Sequence, residues 1–125
     1  MSQATLVLSI DIGGTRTMYG LVDLAGGKVK TAVIRPTVIS GLAPLIGAVV
    51  DTLDELCARA QFPRSAVQAI GVGIPGFVDS DHVSLVWTSL SFLEGNHLRR
   101  SFEDRLGLPI RYDNDARLVA LGVEI

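Results

Sequence analysis

Residues 5–23 read TLVLSIDIGGTRTMYGLVD. The first part, 5–12 (TLVLSIDI), is rich in β-branched residues and leucine and runs straight into Gly13 and Gly14. That pattern is a buried strand ending in a turn. Apolar residues return at once in 17–23 (TMYGLVD), so the two segments are expected to fold back as a hairpin across the Gly pair. Ala25, Gly26 and Gly27 mark a second turn, and 28–34 (KVKTAVI) alternates polar and apolar like a half-exposed edge strand. The chain should therefore open with an antiparallel meander of three strands.

Outward from the meander, the pattern changes period. In 41–60, Leu42, Leu45, Ile46, Val49, Val50, Leu53, Leu56 and Cys57 recur at helical spacing, with Asp51, Asp54, Glu55 and Arg59 on the other side. Ser40 is the expected N-cap, and Phe62-Pro63 ends the helix. A buried strand is expected over 66–74 (AVQAIGVGI), broken by Pro75 and Gly76. Short extended pieces should follow in 77–87 around Asp79, Ser80 and Asp81. Then come a short helix over 98–106 with Gly107 just past its end, a strand over 108–112, and a helix over 114–121. This β-β-β-α-β-α-β-α order implies an α/β fold: a mixed five-stranded sheet with helices on both faces.

Composition narrows the function classes. The 125 residues are 48% hydrophobic and 19% charged, which suits a packed domain and excludes intrinsic disorder. A net charge of −2 offers no basic surface to hold a nucleic-acid backbone, so no nucleic-acid partner is expected. One cysteine excludes a disulfide framework and a Cys-based zinc site within the chain. The apolar run at the N-terminus is interrupted by Ser9 and stopped by Asp11, too short for a signal peptide or a membrane span. A cytoplasmic location without membrane contact is expected.

Three short motifs carry chemistry. The turn Asp11-Ile-Gly-Gly-Thr-Arg16 joins two strands. Its glycines let a phosphate approach backbone N–H groups, Thr15 adds a hydroxyl, and Arg16 adds a permanent cation. Asp11, at the carboxyl end of the strand, can hold Mg²⁺ directly or through water. An ordinary hairpin would need only the glycines; turn chemistry does not require the Asp, Thr or Arg. The second cluster, Gly71-Val-Gly-Ile-Pro-Gly76, does not lead into a helix, so it reads as a cleft wall and not as a dinucleotide fingerprint. The third, Asp113-Asn-Asp115, lies where a strand gives way to a helix. These residues can cap that helix, or face the crevice at the carboxyl end of the strand, where an Asp can take a proton from an attacking hydroxyl.

In this order, Asp11-Ile-Gly-Gly-Thr-Arg16, Gly71-Val-Gly-Ile-Pro-Gly-Phe-Val-Asp79 and Leu108-Pro-Ile-Arg-Tyr-Asp-Asn-Asp-Ala116 followed by Ala120-Leu-Gly122 resemble the repressor–ORF–kinase (ROK) family. That family includes bacterial glucokinases and N-acetylhexosamine kinases and belongs to the actin-like ATPase superfamily. The resemblance implies a ribonuclease H-like fold over 1–125, corresponding to the N-terminal lobe of an ATP-dependent sugar kinase, with ATP and Mg²⁺ as cofactors. It implies that Asp11, Gly13, Gly14, Thr15 and Arg16 form the phosphate loop and that Asp115 is the catalytic base. Gly76, Thr88, Ser89, Asn114 and Asp115 would face the sugar.

The sequence also departs from the family pattern. Ser89-Leu-Ser-Phe-Leu93 stands where sugar-kinase members usually read Asn-Leu-x-x-Trp, and Val123 follows Gly122 where a Glu is usual. The family's second lobe, with its adenosine pocket and zinc site, is not within these residues. The isolated chain is therefore expected to show negligible kinase activity, to bind no zinc, and to need a second lobe or self-associate as an oligomer. A non-catalytic sugar-sensing protein resembling the family's transcriptional regulators is the alternative.

Overall fold

The computed structural model describes residues 5–73, 76–79, 82–85 and 98–113, with side chains described for 5–73 and 100–110. The meander forms as read: β1 (Leu6–Ile12), β2 (Arg16–Asp23) and β3 (Lys28–Pro36). It is followed by α1 (Leu42–Ala60), a 3₁₀ turn (Arg64–Ala66) and β4 (Val67–Gly73). Next come the short strands β5 (Gly76–Asp79) and β6 (His82–Leu85), then α2 (Leu98–Leu106) and β7 (Ile110–Asp113). The sheet is mixed, in the order β3-β2-β1-β4-β7. β2 is antiparallel to β1 and β3, while β4 and β7 run parallel to β1. β5 and β6 pair separately as an antiparallel ribbon.

Pleating divides β1 between two cores. Leu6, Leu8, Ile10 and Ile12 pack under Leu45, Val49, Leu53 and Leu56 of α1 and Phe102 of α2. Val7, on the other face, is buried with Val22 and Ala69. A register slip between Leu6 and Val7 against β4 lets Val67 and Ile70 both reach the α1 side. Both described helices therefore lie on one face of the sheet. The helix expected over 114–121 lies outside the described residues.

Two helix boundaries refine the sequence reading. Gly41, not Ser40, occupies the N-cap of α1, with φ 151° and no side-chain cap. Pro44 sits within the first turn, and Leu45 N–H donates to the Gly41 carbonyl at 3.1 Å. The C-terminus closes on Gln61 in the left-handed region (φ 62°), and Phe62 N–H donates to the Cys57 carbonyl at 3.0 Å. Gly107, at φ 70°, ends α2 as expected, donating its N–H to Glu103 O at 2.8 Å.

A polar clip ties the edge of the sheet to α1. Arg35 on β3 donates to Glu55 Oε1 at 2.6 Å and to the Thr52 hydroxyl at 3.2 Å. Thr52 is buried and hydrogen-bonds the Tyr19 phenol. Burial pushes the Tyr19 pKa up, against the pull of Arg35 and Thr52. The hydrogen bond from Arg35 is the main reason the Glu55 carboxyl is held below its usual range. Because its folded pKa is lowered, Glu55 stabilises the fold above the unfolded carboxylate value, and that contribution disappears as pH falls through the folded value. From pH 6 down to pH 3, wild type should lose more stability than Glu55→Gln, with the gap opening near the ordinary value of 4.5. Urea titrations at each pH measure this. Truncation to Ala of Leu53, a fully buried residue of α1, should cost about 2–5 kcal/mol in the same titration at neutral pH.

Candidate functional site

β1, β4 and β7 are parallel, so their carboxyl ends share one edge of the sheet. The register there is Asp11 beside Gly73 and Gly73 beside Asp113. Gly73 has no side chain and stands between the two Asp positions. Ligand crevices of open α/β sheets form at this end. Asp11, exposed on β1, reaches it because the pleat turns Asp11 away from the α1 side that Ile10 and Ile12 occupy.

The β1–β2 turn leaves from the same edge. Gly13 N–H donates to Arg16 O at 2.9 Å, closing the turn. A Cβ on Gly13 would lie 2.8 Å from that backbone oxygen, so only glycine lets the strands close here. Gly14 is half-buried, and Thr15 and Arg16 are exposed. The turn therefore offers a hydroxyl and a cation to solvent within a few residues of Asp11.

The end of β3 fixes this turn from below. The Thr37 hydroxyl donates to Gly13 O at 2.8 Å, and Thr37 N–H donates to Thr15 O at 2.9 Å. The hydroxyl of Thr17, which is fully buried, lies 2.8 Å from that of Thr37. Sequence reading did not find this pair. Thr17 reads as an ordinary β-branched strand residue and Thr37 as a loop residue, and no local pattern links positions twenty apart.

Of the other expected site residues, Gly76 opens β5 just past Gly73, at the same edge. Thr88, Ser89, Asn114 and Asp115 lie outside the described residues. Asp113 closes β7, which brings the chain to this edge immediately before Asn114. Among the described residues no group of three or more His, Cys, Asp or Glu could hold a metal ion, and no helix is long and apolar enough to cross a membrane.

Gly13→Ala tests how tightly the turn is built. The added methyl must displace Arg16 O, so the variant should lose about 1–3 kcal/mol in a denaturation titration. Its amide spectrum should change most in the β1–β2 turn.

The comparisons with known proteins agree with this geometry. An N-acetyl-D-glucosamine kinase of Aliivibrio fischeri is 30% identical over 111 residues, covering 89% of this chain and 35% of that protein. A glucokinase of Streptomyces coelicolor is 30% identical over 118 residues, covering 94% of this chain and 35% of that protein. The chain thus spans 35% of the length of these curated relatives. The crystal structure of an inorganic polyphosphate/ATP-glucomannokinase from Arthrobacter sp. strain KM superposes with a TM-score of 0.72 at 29% identity, over 94% of this chain and 49% of that one. The fold is shared with a ROK hexokinase from Thermus thermophilus and a ROK family glucokinase from Streptomyces griseus. The profile described as ROK family matches residues 7–125, and with the Asp11–Arg16 turn at the carboxyl edge of the parallel strands, this chain belongs to the ROK family.

Proposed function

We propose that this chain is the N-terminal lobe of an ATP-dependent sugar kinase that transfers a phosphoryl group to a hydroxyl of a hexose or N-acetylhexosamine. The observation that carries the reading is the shared edge. The Asp11–Arg16 turn, Gly73, the start of β5 and the end of β7 all meet there. The sugar-kinase relatives support the same assignment.

The residues present fit Mg²⁺-ATP. The glycine-closed turn leaves Thr15 and Arg16 exposed, a hydroxyl and a cation suited to phosphate oxygens. Asp11 offers an exposed carboxylate beside a glycine, suited to a hydrated Mg²⁺. When bound, Mg²⁺ neutralises charge on the transferred phosphoryl group. Gly76, Thr88, Ser89 and Asn114 hold the sugar and orient its hydroxyls. The attacking hydroxyl oxygen bonds to the terminal phosphorus, its proton passes to the Asp115 carboxylate, and the bond to the leaving ADP breaks. Such transfer needs two lobes that close and exclude water. The chain alone therefore supplies the loop, a metal carboxylate and the base, and requires a second lobe for turnover. A cytoplasmic location suits an ATP-dependent reaction.

A thermal-shift panel of glucose and N-acetylglucosamine, with and without Mg²⁺-ATP, tests this reading. A ligand bound only by the folded chain, supplied at about 100 times its Kd, stabilises by about 2.7 kcal/mol. Absence of any shift across the panel would overturn the proposal. Steady turnover of ATP with either sugar by the 125-residue protein would overturn the need for a second lobe.

A second reading, a non-catalytic sugar-sensing member of the family, rests on Ser89 and Val123 standing where the kinase pattern has Asn and Glu. Retention of full biological function by Asp115→Ala would favour it.

A further inference from the structure

β7 carries the third motif to the carboxyl edge, and it is short. It has four residues, Ile110–Asp113, and among the described residues it pairs only with β4. Its apolar pattern fixes the register in part. Leu108 and Ile110 both pack in the core on the α1 side, and Tyr112 continues the same alternation. A slide by one residue would turn Ile110 out of the core, but a slide by two would replace it with Leu108 or Tyr112. Pro109 bars one of these slides. With Pro109 in the place of Arg111, opposite Gly71, the ladder would meet a residue without an N–H. The other slide, which sets Asp113 opposite Gly71, meets no such bar. It would draw Asp115 back to the place beside Gly73 that Asp113 holds.

The remaining constraint comes from α2. Ile70 N–H donates to Pro109 O at 2.9 Å, so the parallel ladder turns the Ile110 N–H away from β4, to the outer side of β7. There it donates to Glu103 Oε2 at 3.3 Å. The main chain of the same residue, Glu103 O, accepts the Gly107 N–H at 2.8 Å. Glu103 thus grips both ends of the connection between helix and strand. α2 is itself anchored: Phe102 and Leu106 are buried, and Arg64 donates to Leu106 O at 3.5 Å and to Asp54 of α1 at 3.3 Å. A slide of two residues would carry Ile110 about 7 Å from the Glu103 carboxylate and break its bond.

We propose that Glu103 is the positioning residue that locks β7 in the register placing Asp113 beside Gly73, so that Asn114 and Asp115 follow beyond the edge, where the sugar is bound. This role rests on the sugar and base assignments made for Asn114 and Asp115 under the proposed function.

Glucose and N-acetylglucosamine are the probes, with the full 125-residue chain. Calorimetry reads their affinity, and amide hydrogen exchange reads the Ile110 N–H. Glu103→Ala should weaken sugar binding by about tenfold and speed exchange at Ile110 by about tenfold, the size expected for loss of a hydrogen bond to a charged group. Glu103→Gln keeps an acceptor oxygen and should stay within about threefold of wild type in both readings. The cross-strand amide contact between Gly73 and Asp113 should persist in Glu103→Gln and weaken in Glu103→Ala. Glu55→Gln is the control for stability alone: it removes the ion pair with Arg35, away from β7, and should bind sugar as wild type does. Wild-type affinity in Glu103→Ala overturns the positioning role and leaves the sugar assignments intact. Equal losses in Glu103→Gln and Glu103→Ala also overturn it, since the acceptor oxygen would then not be what matters. A loss in Glu55→Gln as large as in Glu103→Ala overturns it too, because lost stability would account for both. Wild type that binds neither sugar overturns the sugar assignments of Asn114 and Asp115, and the positioning role with them.

Discussion

β1 is hydrogen-bonded along its length on both sides, antiparallel to β2 and parallel to β4, and is buried throughout on its α1 face and at Val7 on the other. Few positions are free to change in such a strand. A shift of one residue would send Leu8 and Ile10 away from α1 and bring Ser9 and Asp11 into the apolar core. The depth at which α1 packs, the register of β4 and the point where the β1–β2 turn emerges all depend on this single strand. Asp11 is polar and exposed because it lies at the last outward position before the sheet ends. The chemistry at the carboxyl edge thus inherits its geometry from the packing of four aliphatic side chains on the opposite face.

The turn after β1, proposed above to hold phosphate, differs from a P-loop in the element it leads into. A P-loop runs into a helix, whose N-terminus supplies aligned N–H groups and a favourable dipole. Here the chain runs into β2, so the turn leads into no helix N-terminus of its own. The cation of this turn is a side chain, Arg16, at the first residue of β2. Bonds from outside also hold the turn: Thr37, the residue after β3, donates to Gly13 O and to Thr15 O.

The elements with strong local periodicity were legible in the sequence. α1 shows its buried side at Leu45, Val49, Leu53 and Leu56, and α2 was bounded by Leu98 and Leu106 as it is in the structure. The three-strand meander was legible because glycine clusters separate runs of β-branched residues. Ser40 was not the cap because Gly41 takes an extended conformation with positive φ, which moves the helix start by a residue. The slip in register between β1 and β4 left no trace, since Val67 and Gln68 look like any strand residues. At the site, the residue types of the Asp11–Arg16 turn announced themselves. The support from Thr17 and Thr37 did not, because it arises only when the β2–β3 pairing brings distant positions together.

The outer strand of the meander also bears on how the chain avoids unwanted company. β3 forms the edge of the sheet, and none of its residues is fully buried. An open row of backbone groups invites another strand to join it. Lys28, Lys30 and Arg35 stand along this strand, and Pro36 ends it without an N–H to offer. A second copy adding antiparallel to this edge would bring cations against cations while gaining an incomplete ladder. The same strand that anchors α1 through Arg35 and leads into Thr37 therefore also resists growth of the sheet into a fibre.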